Sequence, residues 1–232
     1  MTRLAIMQPY FLPYIGYFQL IAAADLFIVY DNIKYTKKGW INRNRLLLNA
    51  EPTTFSLPLK NASDSLHVDQ RVISEQFNAS KLLNQFKAAY GKAPYVAQTM
   101  PLLESILCFT GSNLFDFLLH GLNECCRKLG IHTPIRRSSE IAIDHTLTAQ
   151  NKVLALCQAC GAQQYINAIG GVELYDHSDF DARRIELQFI RSQLVPYQQF
   201  GGVFVPWLSI IDHMMFQSTD QLSRALRQYD II

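Results

Sequence analysis

An α/β fold with a mixed, mainly parallel sheet is what this sequence predicts, and three adjoining segments predict it. "RLAIMQP" has buried-strand character and ends at Pro9, which cannot donate to a central ladder. "PYIGYFQLIAAA" carries apolar residues at helical spacing, with Pro13 suited to a first turn. "DLFIVYDNI" is a β-branched and aromatic run that follows Asp25 and reads as a second strand. Strand, helix and strand within about 30 residues make a βαβ unit with parallel strands.

The remaining elements follow in order. Lys34 to Asn44 is polar, basic and turn-forming, and "RLLLNAEPTTFSLPLK" reads as two strands joined around Ala50 to Pro52, a hairpin. Residues 61–75 read as loop. "SEQFNASKLLNQFKAAYGK" reads as an amphipathic helix ending near Gly91, and "YVAQTMPLLESILCF" and "NLFDFLLHGLNECCRKLG" as two more, each closed by a glycine. "TPIRRSSEI" gives a short strand, and "TAQNKVLALCQACG" a helix with Thr148 as N-cap. "AQQYINAIGGVELYD" contains a strand and a Gly-Gly turn open to positive φ, and "IELQFIRSQ" is a further strand. "SIIDHMMF" and "TDQLSRALRQYD" close the chain as helices. The organisation expected is one α/β domain over residues 1–232 with a helical segment at about 76–130.

The totals limit the function. In 232 residues, 49% are hydrophobic and 17% charged, enough apolar material for a sizeable core and unlike a disordered chain. Net charge is +2, so anion binding must come from local clustering. No apolar run reaches the roughly 18 to 20 residues that span a bilayer, and no signal peptide is apparent. Five cysteines, an odd number, favour a reduced cytoplasmic protein. Cys157 and Cys160 lack a second ligand pair and already lie in helical sequence, so they and the Cys125–Cys126 pair read as core thiols, and no metal site is expected.

Chemistry concentrates in "DNIKYTKKGWINRNR". Lys34, Lys37, Lys38, Arg43 and Arg45 place five cations in a dozen residues, with Tyr35, Trp40, Asn42 and Asn44 between them. Arginine offers a planar fork for phosphate or carboxylate, lysine a point charge, and aromatic rings a stacking face. A merely solvated loop has no need of Trp40, Asn42 and Asn44. A second cluster, "QPYFLPYIGY", leaves the first strand and enters the first helix. In open α/β sheets ligands sit at the carboxyl ends of the strands, and a helix N-terminus offers free N–H groups. There Gln8, Pro9, Tyr10, Pro13, Gly16 and Tyr17 are candidate binding residues, with Gly16 allowing a close approach. Asp31, ending the second strand, is the candidate general base. If strands one and two are adjacent and parallel, both clusters leave one edge and share one pocket.

Other signals are weaker. The histidines are scattered, and His213 beside Asp212 and near Ser209 has no G-x-S-x-G elbow to support a hydrolase triad. P-loop, G-x-G-x-x-G and H-E-x-x-H patterns are missing. The sequence specifies no cofactor.

At these residues the chain resembles the WbqC-like protein family, whose members begin "QPxxxPxxGYFxLI" and continue "DxFxxYDxVxYxKxxWxNRNR". The corresponding segments here are "QPYFLPYIGYFQLI" and "DLFIVYDNIKYTKKGWINRNR". "LGIHTPIRRSSEI", "GAQQYINAIGG" and "VPWLSIIDHMMF" extend the resemblance over nearly the whole chain, while "DHMMFQSTD" departs from it. The resemblance implies a role in O-antigen or other surface-polysaccharide synthesis, with glycine transfer to an amino sugar suggested for some members. The opening is also similar to that of the nucleotidyltransferase and pantothenate-synthetase superfamily, but "YIGY" stands where its H-x-G-H would fall.

Three readings follow. The first is a transferase acting on a nucleotide- or lipid-linked amino sugar. The second is a non-catalytic sugar-nucleotide-binding or scaffold protein. RNA binding through the same cations is third, disfavoured by the near-neutral charge and the lack of any RNA module. The expected partner is a phosphorylated or nucleotide-linked small molecule.

Overall fold

The structure is a computed structural model and describes every residue except Asp64. Its centre is a six-stranded sheet in the order β5-β2-β1-β6-β7-β8. The strands are β1 (Arg3–Met7), β2 (Leu26–Val29), β5 (Ile135–Arg137), β6 (Gln164–Ala168), β7 (Glu186–Ser192) and β8 (Tyr229–Ile231). β5, β2, β1, β6 and β7 pair parallel, and β8 runs antiparallel on β7. The α/β expectation therefore describes this architecture. β1 and β2 pair from Leu4↔Leu26 to Met7↔Val29, with α1 (Ile15–Ala23) between them in sequence.

Alternation along the strands sorts their side chains into two cores. Ala5, Phe27, Val29, Ile166 and Ile190 join the larger core, and Leu4, Ile6, Ile28, Tyr165 and Phe189 the smaller one on the other face. The larger core is filled by α1, by a hairpin and by the later helices. α1 is buried from Ile15 through Ile21, so it is a core helix with no solvent stripe. Even its Gln19 is inside, where its amide donates to the carbonyls of Ala225 (2.7 Å) and Gln228 (3.1 Å). The hairpin, β3 (Arg43–Leu48) and β4 (Glu51–Ser56), forms a separate two-stranded sheet. Its turn residues Asn49 and Ala50 both have positive φ, as a two-residue hairpin turn requires, so Pro52 lies within β4.

α2 (Ala79–Tyr90), α3 (Val96–Leu107) and α4 (Leu114–Leu129) follow the hairpin. α4 ends at Gly130 with φ of 69°, as expected, whereas α3 stops at Cys108 before it can reach Gly111. α5 (Ala149–Ala159) starts at Thr148, but that side chain makes no capping bond. α6 (His177–Asp181) is a short helix before β7. Gly170 and Gly171 lie in a 3₁₀ turn without positive φ. Gly171 is required by space, because a Cβ there would stand 2.7 Å from Asn167 Nδ2. After α7 (Ile210–Phe216), α8 (Thr219–Ala225) ends early, and the expected helical tail becomes β8. Among the described residues no helix is long and apolar enough to cross a membrane.

Candidate functional site

The five parallel strands all release the chain at one edge. From β1 the chain moves to β2 and β5 on one side, and β6 and β7 lie on the other, so the β1–β6 boundary is the topological switch point where open sheets form ligand crevices. Tyr30 N donates to Met7 O (2.9 Å), which keeps the exits of β1 and β2 side by side. Gln8 and Asp31 thus leave the same edge.

The first exit, residues 8–14, is clamped from both sides. Phe11 N donates to Trp40 O (3.1 Å), and Asn44 Nδ2 donates to the carbonyls of Phe11 (3.0 Å) and Leu12 (2.8 Å). Ser209 Oγ donates to Leu12 O (2.8 Å), and Ile210 N to Pro13 O (2.8 Å). These bonds hold Leu12 at φ of 45°, left-handed backbone that a leucine rarely adopts. Pro13 lies just outside the helix, since α1 begins at Ile15 with Tyr14 as an uncapped N-cap. Gly16 makes room for the Tyr14 ring, which a Cβ would approach to 2.4 Å. Pro9 and Tyr17 are buried, and Tyr17 acts as a buttress by donating its hydroxyl to Gln8 O (2.8 Å). Tyr10 and Gln8 remain half-buried, and among the described residues the Gln8 side chain makes no hydrogen bond.

The basic segment divides into latch and surface. Tyr35 and Asn44 are buried, and Tyr35 OH donates to Asn42 Oδ1 (2.8 Å) while Asn42 Nδ2 donates to Leu57 O (2.8 Å). These three side chains hold the loop in shape. Lys34, Lys37 and Lys38 are exposed. Trp40 is 38% exposed, with the guanidinium carbons of Arg43 and Arg45 at 5.7 and 5.3 Å from its ring. Arg43 donates to the carbonyls of Gly39 (3.0 Å) and Lys38 (2.6 Å). Arg45 Nη2 donates to Trp207 O (3.1 Å), and its buried Nε has no partner among the described residues. The two clusters expected to share an edge are in direct contact through Phe11, Trp40 and Asn44.

Asp31 does not fit the role of base. It is 2% exposed and accepts bonds from Ser138 Oγ (2.7 Å), Ser139 N (3.0 Å), its neighbour Asn32 N (3.0 Å) and Ser139 Oγ. Burial pushes its carboxyl up, but these bonds outweigh burial and hold it below the ordinary carboxylate value. A carboxylate so engaged and so weakly basic is a poor proton acceptor.

A second group at this edge has no local sequence motif. Asn32 Oδ1 accepts from Lys152 Nζ (3.0 Å) and also lies 2.7 Å from Ser138 Oγ, whose single proton is shared between this oxygen and Asp31. Asn32 Nδ2 donates to His145 Nδ1 (2.9 Å), so the ring proton is on Nε2, which donates to Ile141 O (3.0 Å). Lys152, in the first turn of α5, is 6% exposed and stands 5.6 Å from the Tyr30 ring centre. Among the described residues no carboxylate lies within ion-pair distance of it. Burial lowers its ammonium pKa, against the opposing charges of Asp31 and Asp69. The one signal for it in the sequence is a lysine on the buried face of α5, one turn before Leu156.

Residues 193–208, between β7 and α7, cross the same edge. Asp212, fully buried, accepts from Gln199 Nε2 (2.9 Å), Tyr90 OH (2.9 Å) and Tyr197 OH. Ser209 is occupied with Leu12, so Ser209, Asp212 and His213 form no triad. The cysteines are free thiols, with Cys125, Cys126 and Cys157 buried. Among the described residues no three His, Cys, Asp or Glu side chains converge as a metal site.

These features define an α/β protein whose candidate site lies across the carboxyl edge of a parallel sheet. The chain belongs to the WbqC-like protein family, whose model matches residues 8–224. It is 29% identical over 218 residues to the uncharacterized protein Rv1507c of Mycobacterium tuberculosis, covering 91% of this chain and 92% of that protein. No solved structure matches it.

Proposed function

We propose that the protein is a transferase of surface-polysaccharide synthesis that binds a nucleotide- or lipid-linked amino sugar at this edge and attaches glycine to it. The observation that carries this reading is the Arg43–Trp40–Arg45 ladder packed onto the first loop, beside the switch point. Cations and a stacking face there suit a phosphate and a base. In the reaction the sugar amine attacks the carbonyl of an activated glycyl donor. A C–N bond forms, the activating group departs with its bonding electrons, and the amine proton passes to a base. Lys152, whose ammonium pKa burial lowers, is the candidate for that base, and Asp31 positions Asn32 and Ser138 around it.

A second reading, binding without turnover, is favoured by the full engagement of Asp31. Thermal-shift titration with UDP and UDP-sugars tests both. A rise in melting temperature of a few degrees is expected, and no response across the series would refute ligand binding at the ladder. Isotope-labelled glycine appearing in a sugar product separates the transferase from the binding protein.

A further inference from the structure

One end of the molecule gathers its solvent-facing apolar side chains. Apart from Met1 and the C-terminal Ile231 and Ile232, every exposed large hydrophobic residue among the described residues lies in one of three segments. These are Trp40 after β2, residues 169–174 after β6 and residues 194–207 after β7. All three leave the carboxyl edge of parallel strands. Single exposed apolar residues need no explanation, but a group at one edge marks an interaction surface.

The longest of these segments is built to stay out of the core. Gly201 and Gly202 turn the chain with φ of 108° and 90°, and Val203 follows at 91% exposed. Trp207 stands 47% exposed at φ of 59°, with Arg45 Nη2 donating to its carbonyl. Left-handed backbone at a tryptophan persists only where its surroundings impose it. Leu194 and Val195 line the same recess as Trp207, and the Arg45 guanidinium lies over the Trp40 ring. The apolar rim and the cationic ladder therefore adjoin as one strip.

Charge selects what covers it. Residues 193–208 carry no charge, whereas residues 36–45 carry Lys37, Lys38, Arg43 and Arg45 and no acid. The nearby carboxylates are Asp230, which accepts from Gln193 Nε2 (2.8 Å), and Glu173 in the segment after β6. A second copy of this chain, meeting the strip about a two-fold axis, would bring the same cations together. A hydrated polyanion such as RNA would pair with the cations and leave Leu194, Val195 and Val203 in water. An anionic bilayer surface satisfies both halves. Its phosphates accept from the cations, its interfacial zone takes the apolar tips, and tryptophan favours that depth.

We infer that this strip docks the protein on an anionic lipid surface, with Trp40 and Trp207 at the level of the headgroups. The docking stands without the proposed function; resting on that function, it makes the acceptor a lipid-linked amino sugar rather than a nucleotide-linked one.

The test is co-sedimentation of the full chain with vesicles, read together with tryptophan emission. The vesicles are phosphatidylcholine alone, or two parts phosphatidylcholine to one part phosphatidylglycerol. Trp40 and Trp207 are the only tryptophans in the sequence, so their emission reports on this strip. The expected result is binding to the anionic vesicles with a blue-shifted emission, weakened by salt and about tenfold weaker on phosphatidylcholine alone. Two double variants, Leu194→Ser with Val203→Ser and Lys37→Gln with Lys38→Gln, should each weaken binding about tenfold. The inference is overturned by no binding to anionic vesicles, by binding without a blue shift, or by wild-type binding in both double variants. It is equally overturned if sedimentation velocity shows a dimer that the Leu194→Ser and Val203→Ser pair converts to monomer. Should one double variant not fold, the other decides. No sugar or nucleotide is present, so failure here leaves the thermal-shift test of the proposed function intact, and failure there leaves the docking surface standing.

Discussion

Asp31 and Asp212 are both buried carboxylates that accept several hydrogen bonds, and their acidities move in opposite directions. Asp31 receives two backbone N–H groups and two serine hydroxyls, and its pKa falls. Asp212 receives only side-chain donors, from Tyr90, Tyr197 and Gln199; burial dominates those bonds, and its pKa rises. Fixed backbone dipoles stabilise a charge without losing side-chain freedom, whereas long side chains must be ordered to do so. The difference shows that counting bonds to a buried acid does not reveal its charge state; depth and donor type decide it. In the fold, Asp31 joins the exits of β2 and β5, and Asp212 fastens residues 193–208 over the larger core.

The largest effect should come from Asp212→Ala, which leaves two tyrosine hydroxyls and the Gln199 amide without their acceptor. A loss of about 3–5 kcal/mol is expected in urea unfolding, and a loss under about 1 kcal/mol would mean that the node holds little. The isosteric pair separates the two acids more sharply. At pH 7, Asp31→Asn should cost about 2–3 kcal/mol, because it removes a stabilised charge and its donors' acceptor. Asp212→Asn should cost about 1 kcal/mol or less, because it removes a charge the site disfavours; equal costs would break the comparison.

Acid titration gives the same contrast a sign. A lowered Asp31 contributes stability that is present above the ordinary carboxylate pKa and lost as pH falls through its folded value. A raised Asp212 does the reverse, diminishing stability as pH rises through the carboxylate range. His213 is depressed from 6.5 to about 4, so stability should be complete above pH 6.5 and fall by about 3 kcal/mol as pH drops toward 4. His213→Phe should flatten that segment of the stability profile; an unchanged profile would contradict a buried neutral imidazole. A modest effect is also expected from Gly171→Ala, whose methyl would press on Asn167 Nδ2; about 1–2 kcal/mol is expected from the unfolding midpoint.

Much of the fold is legible because its signals are local. Pro9, the apolar run of α1 and the β-branched run at Leu26 fix a βαβ unit, and parallel pairing alone sets Gln8 and Asp31 on one edge. The hairpin and the three helices after it carry equally local patterns. β8 does not, because "YDI" becomes a strand only where the edge of β7 is free to receive it. The site divides in the same way. Trp40, Arg43 and Arg45 announce themselves by composition, whereas Lys152 meets Asn32 only through tertiary packing, across a separation of 120 residues. Tyr35, Asn42 and Asn44 lock the loop, a part the sequence does not distinguish from meeting a ligand, because a polar side chain has the same letter in either place.

The clamp on Leu12 ties the first loop to the far end of the sequence. Ser209, which receives Leu12, lies 197 residues further along the chain. Closing so long a loop is an entropic barrier of the kind that slows non-local contacts. The Leu12 backbone has no local reason to turn left-handed before that contact forms. The shape of this loop therefore depends on residues far along the chain: the left-handed turn at Leu12 is held by Asn44 and Ser209, and its own segment supplies no side chain that would hold it.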